Sequence, residues 1–135
     1  MKKLTIEASV DNLDEVLAFI DGELEAADCP MKIQMQIDVA VEEVFVNIAH
    51  YAYAPNTGMA VVGVDVAGEP PCVSISFCDR GVPYDPLAKE DPDVTLSAEE
   101  REIGGLGIYM VKKAMDAMHY VYRDGQNCLT LMKRL

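Results

Sequence analysis

The chain has 135 residues, half of them hydrophobic, and a formal net charge of -12. That length fits one domain, residues 1–135, with a sizeable core. The charge argues against nucleic acid, whose phosphates need clustered Lys and Arg, and against an anionic membrane surface; it leaves room for a nucleotide, because backbone N–H groups and a metal ion can make one pocket locally favourable.

Lys2 and Lys3 open the sequence, but Glu7 and Asp11 interrupt the stretch behind them, and no apolar run approaches the ~18 residues of a membrane span. The expectation is no signal peptide, no transmembrane helix and a cytosolic location. Cys29, Cys72, Cys78 and Cys128 form no C-x-x-C pair and have no His at metal-ligand spacing. Small buried hydrophobes are their expected role, with a disulfide or zinc site as the alternative.

Residues 3–9 alternate and predict a short strand. Ser9 or Asp11 can cap a helix over 11–26, with Leu13, Val16, Leu17, Ile20 and Leu24 at helical spacing. Asp28-Cys29-Pro30 ends it, and Pro30 suits the first turn of a longer helix reaching about Ala52. Strands come next at 59–67, with Val62, Val64 and Val66 on one face, and at 72–78, with Val73, Ile75 and Phe77 on one face; Gly68-Glu69-Pro70-Pro71 joins them as a hairpin. Residues 79–103 lose periodicity, are rich in Pro and acidic residues, and predict a functional loop. After Gly104-Gly105-Leu106-Gly107 a helix is predicted to about Met118. Strands at about 119–124 and 128–134 then flank an Asp124-Gly125-Gln126-Asn127 turn. The order β-α-α-β-β-loop-α-β-β predicts an α+β two-layer sandwich, its mostly antiparallel sheet covered on one face by helices.

Three constellations carry chemistry. On the second helix, Glu43, Asn47 and His50 fall within roughly 60° of one another, beside a core stripe of Ile33, Ile37, Val41, Val44 and Ile48. A solvated polar face satisfies that spacing; the functional reading is a carboxylate base with an amide oxygen for a hard cation. Glu42 lies about 100° away around the helix and cannot stand in for Glu43. Next, Asp79-Arg80-Gly81-Val82-Pro83-Tyr84-Asp85-Pro86 ends a buried strand. It is an ordinary turn, or else a carboxylate accepting from an exocyclic amine such as that of adenine, with Gly81 letting the base come close. Last, the glycines at Gly104, Gly105 and Gly107 run straight into a helix start, as a flexible junction or as a cradle of N–H groups for phosphate. No Gly-Lys-Ser/Thr succeeds them, so this is no P-loop.

Taken together, the Glu-x-x-x-Asn-x-x-His-x-Tyr helix, the Asp-x-Gly-x-Pro-x-Asp-Pro loop and the Gly-Gly-x-Gly helix start resemble the N, G1 and G2 boxes of the GHKL ATPase superfamily, over nearly the whole chain. Within it the chain looks most like the anti-sigma-factor serine/threonine protein kinases. The resemblance implies a Bergerat-type fold binding ATP and Mg²⁺. Glu43 would be the general base and Asn47 a Mg²⁺ ligand. Asp79 would take the adenine amine, with Gly81 beside the base. Gly104, Gly105 and Gly107 would hold phosphates, and residues 87–103 would form a lid. Arg101 is a candidate phosphate contact, or the partner of Glu99, Glu100 or Glu102 in a solvated salt bridge. His50 matches the pattern in a structural role. The implied partners are an STAS-type anti-anti-sigma protein as substrate, a sigma factor or other regulatory protein as sequestered client, and a second copy in a homodimer. Two other readings stay open: a non-catalytic nucleotide-dependent binding module, and a detached histidine-kinase catalytic domain.

Overall fold

The computed structural model describes residues 1–88 and 105–135. The first strand, β1 (Lys2–Glu7), runs antiparallel to β2 (Met59–Ala67), with Leu4 opposite Val62. Between them the chain makes a 3-10 turn at Val10–Asn12, where Ser9 Oγ accepts from the Asp11 N–H at 3.3 Å, as the capping residues predict. Helix α1 (Leu13–Ala26) buries Val16, Ile20 and Leu24, one turn apart along a single face. It ends with Asp28 in the left-handed region (φ 57). The Asp28 N–H reaches Glu25 O at 3.1 Å and the Cys29 N–H reaches Leu24 O at 3.0 Å. That pair of bonds satisfies carbonyls the helix would otherwise leave open. Pro30 then caps α2 (Met31–Tyr51), which turns Ile37, Ala40, Val41, Val44 and Phe45 into the core.

Strand β3 (Cys72–Asp79) alternates strictly, with Val73, Ile75 and Phe77 under the helices. Helix α3 is Gly105–Ala114, and β4 (Ala117–Arg123) and β5 (Gln126–Arg134) close the sheet. All pairings are antiparallel, in the order β1-β2-β3-β5-β4, so β5 lies between its hairpin partner β4 and the distant β3. Leu129 and Leu131 join the same buried layer as Val62 and Ile75. The sheet thus carries its helices on one face, the two-layer α+β sandwich that the element order predicts.

Three details depart from the sequence reading. Helix α3 stops at Ala114 rather than near Met118: Lys133 Nζ donates to the Ala114 carbonyl, and the Asp116 N–H pairs with Met132 O at 2.9 Å, pulling the chain onto β5. The last hairpin turn is the two residues Asp124-Gly125, both at positive φ (54 and 77), which suits a tight hairpin between twisted strands. Gln126 and Asn127 are therefore strand residues. Finally, Cys78 and Cys128 form a disulfide between directly opposed positions of β3 and β5, Cα atoms 4.2 Å apart, on the face away from the helices. Cys29 and Cys72 are free and half-buried.

Two carboxyls face each other across the helix pair. Burial pushes the Asp38 carboxyl of α2 up to about 7, aided by a hydrogen bond with Asp21 of α1 and by the charges of Asp21 and Glu25. Apart from that mutual contact, the buried Oδ1 atoms of Asp21 and Asp38 have no hydrogen-bond partner among the described residues. A folded carboxyl raised above its unfolded value keeps a proton that the unfolded chain has released. Its contribution is therefore fully present below about pH 4 and is lost as pH rises towards 7. Asp38→Asn removes that loss, so its stability advantage over wild type, from urea unfolding, should grow between about pH 4.5 and pH 8. An advantage independent of pH would contradict the pairing.

Candidate functional site

Helices α2 and α3, strand β3 with the segment behind it, and the β4–β5 hairpin enclose one cavity of about 490 Å³. Its walls are mostly apolar, with Val44 and Ile48 from α2, Phe77 from β3, Ile108 from α3 and Leu129 from β5. The polar residues lining it are Asn47, Tyr51, Asp79, Tyr84, Tyr120 and Asn127. An apolar cleft in this size range, with a few fixed polar groups, has the character of a small-molecule site.

Asp79 sits at the end of β3 and is 6% exposed. Its Oδ1 accepts from the Gly81 N–H at 2.9 Å and from Asn127 Nδ2 at 3.1 Å. No bond to Oδ2 is present among the described residues. Asn127 is equally buried, and every one of its side-chain atoms that can bond is used. Its Oδ1 accepts from the Tyr84 N–H at 3.0 Å and from the Tyr120 hydroxyl. Its Nδ2 donates to Val82 O at 3.0 Å and Gly81 O at 3.3 Å as well as to Asp79. A backbone N–H can only donate, so Tyr84 fixes which end of the amide is oxygen. Burial, with the charges of Asp85 and Asp79, raises the Tyr120 phenol above its usual value, so at neutral pH it remains a donor.

The segment after Asp79 is also stitched to the end of α2. The Val82 N–H donates to Ala52 O at 3.0 Å. The Tyr53 hydroxyl accepts from the Arg80 N–H at 2.7 Å and donates to Met59 O at 2.6 Å. Gly81 lies so close to this helix end that a Cβ there would overlap the Ala52 carbonyl and stand 2.7 Å from the Ala52 Cβ. The close approach that Gly81 permits here is to Ala52. At the other end of the site, a Cβ on Gly107 would stand 2.7 Å from Glu43 Oε2.

The structure brings Asn47 and Asp79 together on the cavity wall, while Gly81 packs against Ala52 and does not line the cavity; Glu43 lies one turn from Asn47 and faces the first turn of α3 at Gly107. Glu43 is half-buried and does not itself line the cavity. Gly105 opens α3. Gly104, Arg101 and most of the 87–103 segment lie outside the described residues. His50 is exposed, edge-on to Tyr51 with ring centroids 6.0 Å apart, and Glu42 is exposed. The sequence reading missed Asn127, Tyr120 and Tyr53. A signal for Asn127 existed: a two-residue Asp-Gly turn would have put Asn127, Leu129 and Leu131 on one face of the last strand. Nothing local marks Tyr120 or Tyr53.

A family model described as Histidine kinase-like ATPase domain matches residues 6–133. Over 100 residues the chain is 28% identical to serine/threonine-protein kinase BtrW of Bordetella bronchiseptica, a stretch that is 74% of this chain and 70% of that protein. In fold it resembles the crystal structure of the RsbU and RsbW domains of Rv1364c from Mycobacterium tuberculosis, with a TM-score of 0.68 and 21% identity over 100% of this chain. The chain spans 33% of that longer one.

The Gly81 contact gives a direct test. Because the obstructing atoms are backbone, Gly81→Ala must shift the loop or the helix end, and is expected to lower stability by about 1–3 kcal/mol in urea denaturation. Wild-type stability in the variant would contradict the packing of Gly81 against Ala52.

Proposed function

The chain belongs to the histidine kinase-like ATPase domain family, and from that premise we propose that it binds Mg-ATP in the cavity between Asp79 and Asn47 and phosphorylates a serine or threonine of a partner protein. The observation that carries this reading is the buried Asp79 carboxylate. One of its oxygens is tied twice, and the other, unbonded among the described residues, is left to accept an amine hydrogen of adenine in a mostly apolar cleft.

The donor set fits the metal. Among the described residues no three His, Cys, Asp or Glu side chains gather as a cation cage. Magnesium typically takes few protein ligands, keeping water and phosphate oxygens for the rest, and Asn47 offers one amide oxygen at the cavity wall. When bound, the ion neutralises charge on the phosphoryl group in transfer. Glu43, one turn before Asn47, orients the incoming hydroxyl and takes its proton. The backbone N–H groups at the start of α3, at Gly105 and Gly107, hold phosphate oxygens with the positive end of the helix dipole behind them. Gly104 and Arg101 as phosphate contacts, and 87–103 as a lid, enter this reading from the sequence alone.

The relative named as a serine/threonine-protein kinase supports a hydroxyl acceptor. The substrate in this reading is an STAS-type anti-anti-sigma protein. The client released on its binding is a sigma factor or another regulatory protein, and two copies of the chain pair as a homodimer. The position of Glu43, off the cavity wall, favours one second reading: a module of the same fold that holds nucleotide and transfers nothing.

Thermal denaturation with saturating Mg-ATP tests the pocket. Ligand at about 100 times its dissociation constant adds roughly 2.7 kcal/mol, a Tm rise on the order of 5–10 °C for a domain of this size. Asn47→Ala and Asp79→Asn should shrink the rise, and no rise in wild type would remove the nucleotide from the proposal. Transfer is tested separately on an STAS-type partner. Acid-stable phosphate that disappears with Glu43→Ala supports the kinase; acid-labile phosphate points to a histidine acceptor; binding without transfer leaves the module.

A further inference from the structure

The Asn127 amide has spent all its bonding capacity on protein, which raises the question of what that fixed geometry does for the cavity it lines. Its Nδ2 holds Asp79 Oδ1 at 3.1 Å and the carbonyls of Val82 and Gly81 at 3.0 and 3.3 Å. Its Oδ1 holds the Tyr84 N–H at 3.0 Å and the Tyr120 hydroxyl. These bonds make two links. The loop that continues from Asp79 is folded back over the strand end from which it departs, because one side chain grips it at Gly81, Val82 and Tyr84. The Asp79 carboxylate is also held against rotation, since Oδ1 is taken by a side-chain amide and a backbone amide that sit on different elements.

We infer that Asn127 is the positioning residue that makes this pocket choose a 6-amino purine over a 6-oxo purine, by holding Asp79 with its free oxygen as a lone acceptor towards the ligand. The inference rests on the proposed nucleotide site. Asn127 has no donor to spare for the base, so it acts through Asp79. A 6-oxo purine sets an oxygen against the Asp79 oxygen, with no hydrogen between them, and a buried polar group left unpaired is how a site rejects an isostere. A carboxylate free to turn would relax that rejection.

Asn127→Asp is the informative change because it is isosteric. It keeps an oxygen for the Tyr84 N–H and the Tyr120 hydroxyl, and replaces the donor to Asp79 and to the Gly81 and Val82 carbonyls with a second acceptor. Two carboxylates in such contact cannot both ionise easily, so lowering pH puts a proton between them and restores a donor. The other titratable or charged groups at this end are Tyr120 and Tyr122 of β4, Arg80, Tyr84 and Asp85 of the loop, and Tyr51 and Tyr53 at the end of α2.

The measurement is the ratio of dissociation constants for ATP and inosine triphosphate, by calorimetry, at about pH 8 and about pH 5.5. Wild type should prefer ATP by about the same factor at both. Asn127→Asp should lose about ten-fold or more of that preference at the higher pH, and recover much of it at the lower. An equal loss for both nucleotides, or a ratio that does not move with pH, would overturn the inference while leaving the nucleotide site standing. Wild type binding neither nucleotide would overturn both. If circular dichroism shows the variant unfolded, Tyr120→Phe decides: it keeps the ring and every backbone bond, removes one donor to Asn127, and should lower the ratio a few-fold. An unchanged ratio in a folded Tyr120→Phe protein would also overturn it.

Discussion

The pairing of β3 with β5 is the constraint on which the cavity depends. These strands are 50 residues apart at their cysteines and joined by no hairpin, yet their register sets Asp79 directly across from Asn127. Slip the register by one residue and the amide turns to the open face of the sheet, because side chains alternate. The loop behind Asp79 would then lose three of its anchors at once. Register here is held by buried alternation, with Ile75 across from Leu131 and Phe77 across from Leu129 under the helices. The cross-strand disulfide between Cys78 and Cys128 marks the same register on the opposite face, one position before Asp79 and one after Asn127.

Helix α2 supplies the other fixed edge. Its apolar stripe seats it on the sheet, so the residues a quarter-turn away from that stripe have no freedom in where they point. Asn47 reaches the cavity for this reason. Two glycines then let neighbouring chain come unusually near: Gly81 to the Ala52 carbonyl at the helix end, and Gly107 to the Glu43 carboxylate four residues before Asn47. Both are cases where a missing Cβ is a packing requirement set by the helix. The site is thus a rigid corner between one helix and one strand pair. Its loop is bonded to both, through Val82 to Ala52 and through Tyr84 to Asn127.

What could be read in the sequence is what local pattern controls. The period of α2, the alternation of β2 and β3 and the Pro-Gly punctuation placed every element in order, and the spacing of three short motifs pointed to the family. The unread parts are those that another segment decides. Helix α3 ends early because Lys133, nineteen positions later, reaches its last carbonyl. Asn127 was read as a turn residue because Asp-Gly-Gln-Asn is turn-like throughout, while only the first two of those residues have the positive φ of the tight turn. The cysteines showed no metal or redox spacing because Cys78 and Cys128 become neighbours only once β5 inserts beside β3. Tyr53 and Tyr120 carry no motif, and their value lies in the groups that the fold brings to their hydroxyls.

This division bears on how so acidic a chain would hold a triphosphate. A net charge of -12 gives no general attraction for a polyanion. In the proposed reading the two ends of the ligand therefore meet different physics. Apolar burial and one carboxylate–amine bond select the base, and both are insensitive to the distant surface charge. The phosphates meet aligned backbone N–H groups at the start of α3 and the metal, which act within the first helical turn. Asp79 and Ile108 of α3 line the same cavity from different elements, and in the proposed reading neither the base contact nor the phosphate contact needs the other's charge. What couples them is geometry: α2 passes both, with Ala52 bonded to the loop behind Asp79 and Glu43 set against Gly107. In that reading a shift of the helix along its axis would move both ends of the site together, so the packing of α2 would govern the binding of base and phosphate alike.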